Sequence, residues 1–128
     1  MLLLVSDANI LIDIEDGNLT PHIFQLPFEI AVPDILFEGE LREQHSYLLQ
    51  VGLKVKTLIP AFVKRTEILS SKYPRPSVMD RLALALALQE QCPLLTGDKD
   101  LRAAAKGEGI EVHGTLWIVE ELLKAKTL

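Results

Sequence analysis

Short apolar runs alternate with helical patterns along the chain, and Gly and Pro mark the breaks between them. Residues 2–5 (LLLV), 28–32, 53–58, 93–96 and 110–112 are apolar stretches of strand length and predict five strands. Between them, helical spacing predicts a helix at 8–14 that stops before Gly17 and a short one at 21–26. It also predicts a helix holding Ile35, Leu36, Phe37 and Leu41, capped by Asp34, with its continuation at 46–51. Pro60, as a first-turn proline, opens another helix through Tyr73. Residues 82–88 (LALALAL) alternate large with small rather than apolar with polar, so they read as helix, which both Leu and Ala favour. With Ser77 as cap, Leu82/Leu86 and Leu84/Leu88 form adjacent stripes, and the alanines allow close approach to a sheet. Two further helices are predicted at 100–106 and from Thr115 to about Lys124. This alternation predicts an α/β fold of three layers, α/β/α, around a central five-stranded parallel sheet.

Length and charge narrow the picture. A chain of 128 residues is expected to form a single domain spanning 1–128. With 48% hydrophobic and 24% charged residues, wholesale disorder is excluded. The one cysteine, Cys92, excludes an internal disulfide framework; beside Pro93 and without a basic neighbour it reads as a small core residue. No run approaches the ~20 apolar residues of a membrane span, and the start lacks the basic flank of a signal peptide. The expectation is a cytoplasmic protein with no membrane contact. Thirteen Lys/Arg against eighteen Asp/Glu give a net charge of −5, which opposes a DNA-coating protein. Nucleic acid stays open as a substrate, because acids converging on a divalent cation invert the local field.

Candidate chemistry follows the acids. Asp7 comes directly after the first strand and Asp98 two residues beyond the apolar core of the fourth. Both therefore stand at carboxyl ends of parallel strands, where open α/β sheets bind ligands. Asp80 lies in the first turn of the LALALAL helix, Asp100 is two residues past Asp98, and Asn9, Ser6 and Thr96 add neutral oxygens. Such oxygen donors, without His or Cys clusters, suit Mg²⁺ or Mn²⁺ rather than zinc. Each acid also has a structural reading: Asp7, Asp98 or Asp100 as helix caps, and Asp80 as the partner of Ser77 in a capping box. Caps alone do not require an acid at every such position.

The segments LLVSDANILID, VPDILFEGEL, SVMDRLALALAL and LLTGDKDL together resemble the PIN-domain nuclease family over nearly the whole chain. The small size is most similar to the VapC-like toxin ribonucleases of toxin–antitoxin modules. The resemblance implies strand order 3-2-1-4-5 and an acidic pocket that binds Mg²⁺ or Mn²⁺ and hydrolyses RNA phosphodiester bonds. It implies Asp7, Asp80 and Asp98 as metal-binding catalytic acids, Asp100 as a neighbouring acid, and Asn9 and Thr96 as polar helpers. The family's second acid falls on Gly39, between Glu38 and Glu40; Glu38 is the first choice, since Ile35 and Leu36 precede it, and Glu40 the alternative. Arg75, Arg81, Lys99 and Arg102 neighbour the acids and are candidates for positioning substrate phosphates. The resemblance also implies a homodimer and a cognate antitoxin partner.

Three other readings compete with this one. A catalytically impaired PIN-like module that binds RNA or protein would follow from the acid missing at Gly39. A haloacid-dehalogenase-type phosphatase needs a second Asp two residues after the first, where Asn9 stands. A receiver domain needs an Asp after the third strand, which here runs into Leu58, Ile59 and Pro60. His22, His45 and His113 read as surface or turn residues. Trp117 lies in a helix with several apolar faces, mostly core, whose excess offers a homodimer or antitoxin contact.

Overall fold

The computed structural model describes residues 1–126. Its five strands are β1 (Leu2–Ser6), β2 (Phe28–Pro33), β3 (Lys54–Lys56), β4 (Leu94–Leu95) and β5 (Val112–His113). They form one parallel sheet in the order β3-β2-β1-β4-β5, with helices on both faces. β1 is central because LLLV is apolar on both faces, and Leu4 and Val5 are fully buried. The outer strands are shorter than the runs at 53–58, 93–96 and 110–112. β3 is an edge strand whose register with β2 covers only residues 54 to 56, while Leu53 and Leu58 are buried in the connections that flank it.

The helices are α1 (Ala8–Asp16), α2 (Thr20–Ile23), α3 (Asp34–Leu36), α4 (Arg42–His45), α5 (Leu48–Val51), α6 (Pro60–Lys72), α7 (Val78–Glu90), α8 (Lys99–Gly107) and α9 (Thr115–Lys124). α7 is the LALALAL segment, and Leu82 through Ala87 are all buried. It packs on β1, β2 and β4 and is covered in turn by α3, α6 and α8. A helix apolar all round belongs where it is enclosed on every side. Burying a leucine such as Leu84 there is worth about 1.5–3 kcal/mol. Among the described residues no helix is long and apolar enough to cross a membrane.

One element departs from the predicted pattern. The helix expected to run on from Asp34 is interrupted by a π turn, Phe37–Leu41, between α3 and α4. Leu36, Phe37 and Leu41 are all buried, so the turn keeps three large side chains in the core across the sequence FEGEL. A single i→i+5 turn of this kind rotates the residues within it relative to a regular helix. Asp34 is the first residue of α3, after Pro33, and its Oδ1 accepts the Ile35 N–H at 2.8 Å.

Candidate active site

β1 ends at Ser6, and Asp7 follows as the N-cap of α1. Asp7 is 2% exposed. Its Oδ1 accepts the Ile10 N–H at 2.9 Å, and its Oδ2 accepts the Thr96 hydroxyl proton. The register that pairs Ser6 with Leu95, and the Asp7 N–H donating to the Leu95 carbonyl at 3.1 Å, set Asp7 beside the end of β4. Thr96 is the hinge between two acids, because its Oγ1 also accepts the Asp98 N–H at 3.0 Å. Asp98 caps α8, its Oδ1 accepting the Leu101 N–H at 2.7 Å. Asp80 completes the capping box of α7: its N–H donates to Ser77 Oγ and its Oδ2 accepts the Ser77 N–H, each at 3.1 Å. The structural reading of these acids is thus correct for Asp7, Asp80 and Asp98, and their caps gather at one rim of the sheet.

Electrostatics shows which acids are neighbours. Burial pushes the Asp7 carboxyl above its ordinary value, the bonds from Thr96 and Ile10 oppose the rise, and the charges of Asp80 and Asp98 add to it. Glu40 is also pushed up, first by partial loss of water and then by Asp80 and Asp7. Glu40 lies in the π turn beside Gly39, where a Cβ would come within 2.9 Å of Met79 Cε, one residue before Asp80. That stretch of the turn therefore faces the head of α7.

Glu38, the first choice from sequence, lies elsewhere. Its carboxylate pairs with Arg42 one turn on, both side chains are more than half exposed, and this bond holds Glu38 below its ordinary value. The two glutamates point different ways: Glu38 pairs with Arg42, whereas Glu40, also exposed, lies within electrostatic reach of Asp80 and Asp7. The only signal in the sequence was the glycine between them. Arg81 has a structural part as well: its Nη1 donates to the carbonyls of Tyr73 and Pro76 and holds the loop before α7. Arg75 reaches toward Asp100 at 3.9 Å. Asn9 and Lys99 are exposed, and Asp100 is half-buried in the first turn of α8.

The donor set fits a hard cation in kind. It consists of oxygens alone, and the Asp80 and Asp98 carboxylates each keep one oxygen outside their cap bonds. Among the described residues, however, no three His, Cys, Asp or Glu side chains stand close enough to hold an ion as they are. The acids are neighbours at electrostatic range rather than at ligating range. A hollow of about 430 Å³ lined by Cys92, Pro93 and Ile110 lies at the opposite ends of β4 and β5, away from this chemistry.

A family model described as PIN domain (DUF3368) matches residues 3–128. No curated protein matches the chain. Among solved structures it is similar to PAE2754 from Pyrobaculum aerophilum, with 15% identity, a TM-score of 0.67, and 96% of this chain and 98% of that one covered. It is also similar to VapBC2 from Rickettsia felis, solved bound to a DNA fragment from its promoter: 13% identity, TM-score 0.63, 88% and 98% covered. A third is the PilT N-terminus domain protein SSO1118 from the archaeon Sulfolobus solfataricus P2: 13% identity, TM-score 0.62, 97% and 92% covered. Identities this low speak to the fold alone.

Proposed function

This chain belongs to the PIN-domain family, and on that premise we propose that it is a metal-dependent endoribonuclease, the toxin of a toxin–antitoxin pair. One observation carries the reading: Asp7, Asp80 and Asp98 come from three separate segments, and both Asp80 and Asp98 lie within electrostatic reach of the sunken Asp7 carboxylate. On this reading Asp7, Asp80 and Asp98, with Glu40 rather than Glu38 as the fourth acid, hold Mg²⁺ or Mn²⁺. Such an ion, when bound, acidifies water and offsets charge developing on the phosphate. The chain's own part is positioning. The Thr96 hydroxyl fixes the Asp7 carboxylate, while the caps of α7 and α8 fix Asp80 and Asp98. Asn9, Asp100 and Lys99 stand at the rim as polar and charged helpers, and residues 1–128 act as one catalytic domain. The likeness to a VapBC structure supports an antitoxin partner, and a homodimer is proposed beside it.

A second reading, a PIN scaffold that binds RNA or protein without cleaving, is favoured by the acids standing short of ligating distance. Calorimetric titration with Mn²⁺, together with RNA cleavage with and without EDTA, tells them apart. The nuclease binds Mn²⁺, loses cleavage in EDTA, and falls to background in Asp7→Asn and Asp98→Asn. Cleavage that persists in EDTA, or full activity in both variants, refutes the mechanism. Absence of both Mn²⁺ binding and cleavage assigns the binding module.

A further inference from the structure

Beside Asp98, α8 presents Lys99, Arg102 and Lys106 along one side, at spacings of three and four residues and over roughly 10 Å of helix. The ion pairs found among the described residues involve none of the three. By contrast Arg65 and Lys72 are held by Glu108, and Arg81 by backbone carbonyls. Lys99, Arg102 and Lys106 line a hollow of about 400 Å³ that begins at Gly97, between Thr96 and Asp98. A second hollow, of about 390 Å³, shares Gly97 and Arg102 with the first. Its walls include His113 and Trp117, stacked with centroids 4.1 Å apart and planes 15° from parallel. Phe28 supports the indole at 5.4 Å. Arg102 stands between the hollows, its Nη1 lying over Gly114 where a side chain would collide with it.

The two hollows differ in chemistry. The first offers only cations, which suits phosphates. The second combines an aromatic wall with the exposed carboxylate of Glu120. That carboxylate repels a phosphate but accepts hydrogen bonds from the exocyclic amine of a base. An acidic peptide would satisfy the cations and leave the aromatic hollow empty. A duplex keeps its bases stacked inside and has none to offer it.

We propose that this channel is a binding track for single-stranded nucleic acid: phosphates flanking the acidic rim lie along Lys99, Arg102 and Lys106, and one unstacked base enters the hollow beside His113 and Trp117. The proposal deepens the ribonuclease reading and rests on it for the identity of the strand as substrate. Stacking platforms beside cationic grooves are the general means by which single strands are held without sequence readout.

Trp117 is the only tryptophan of the chain, so its fluorescence reports on this hollow alone. The experiment titrates the full-length protein in Mg²⁺ buffer with a short fluorescein-labelled single-stranded RNA. Anisotropy of the label and emission of Trp117 are followed together, with cleavage assayed separately. Binding should quench Trp117, and duplex RNA should not. Arg102→Ala and Lys106→Ala should each weaken binding and lower the slope of log affinity against log salt by roughly 0.7. Trp117→Leu should weaken binding by about 5- to 100-fold. If that variant fails to fold, His113→Ala supplies the same comparison from the other ring. Binding without quenching, no binding at all, or a salt slope unmoved by both cation variants overturns the track. RNA that quenches Trp117 but is never cleaved supports the track and removes the nuclease reading. Cleavage without quenching does the reverse.

Discussion

Glu108, the residue after α8, collects three partners from α6 and its C-cap. Arg65 Nη2 donates to its Oε1 at 3.0 Å, and Lys72 Nζ and the Tyr73 hydroxyl donate to its Oε2 at 2.8 and 2.7 Å. Its side chain is only 5% exposed. The Lys72 bond first, then those of Tyr73 and Arg65, pull its pKa from the ordinary 4.5 to about 2. At 1.36 kcal/mol per pH unit that gap corresponds to roughly 3 kcal/mol. Arg65 and Lys72 are 43% and 57% exposed, so water screens both pairs and about 1–2 kcal/mol is the expected net value. Because folding lowers this pKa, the contribution is complete above the unfolded value near 4.5 and is lost as pH falls toward 2. Glu108→Gln keeps the shape and removes the charge. At pH 7 it should lose about 1–2 kcal/mol in urea unfolding, or roughly 3–10 °C in Tm. The difference from wild type should shrink between pH 5 and pH 2. An unchanged midpoint at pH 7, or a deficit that does not vary with pH, would refute the reasoning.

Three other substitutions probe the same helix and the site. Gly107→Ala places a methyl group on the Tyr73 hydroxyl, with the ring's Cζ only 3.2 Å away. The Tyr73–Glu108 bond must then shift, and denaturant unfolding should show a loss of about 1–3 kcal/mol. In the acidic rim, Glu40→Gln should weaken Mn²⁺ binding by about 10-fold or more in calorimetry, while Glu38→Gln leaves it unchanged. The opposite order would return the fourth acid to Glu38, and equal effects would refute the choice of Glu40 over it.

Most of the architecture is legible in the sequence because it rests on local patterns. LLLV can only be a strand buried on both faces, LALALAL can only be a helix enclosed on every side, and Ser77 with Asp80 spells a capping box. The π turn is not legible, since it depends on three core contacts, at Leu36, Phe37 and Leu41, that are satisfied only when the sheet and α7 are in place. Choosing between Glu38 and Glu40 depends on that turn, so the choice is lost with it. Thr96 was legible as a neighbour of Asp98. Its bond to Asp7 spans 89 residues and follows only from the strand order that sets β4 beside β1. Arg81 shows the same dependence on the folded chain: it follows Asp80 directly in sequence, yet the orientation of its Nη1, toward two backbone carbonyls of the preceding loop, is set by how that loop folds.

The two sequence readings of the acids, as caps and as site residues, are one arrangement. Asp7, Asp80 and Asp98 each lie at the N-terminal end of a helix of nine or more residues, α1, α7 and α8. Each such end carries about half a positive charge, worth roughly 0.3–1 kcal/mol to a nearby carboxylate. Three helix ends therefore offset about one and a half of the four charges that Asp7, Asp80, Asp98 and Glu40 bring when ionised. Burial first, and then the remainder of somewhat more than two negative charges, keeps the Asp7 and Glu40 carboxyls above their ordinary values. A chain that needed only caps would have no reason to leave that residue of charge in place, because Ser, Thr or Asn caps a helix as well without it. The uncompensated charge is about what one divalent cation carries, which ties the proposed cofactor to the way the fold holds its helices.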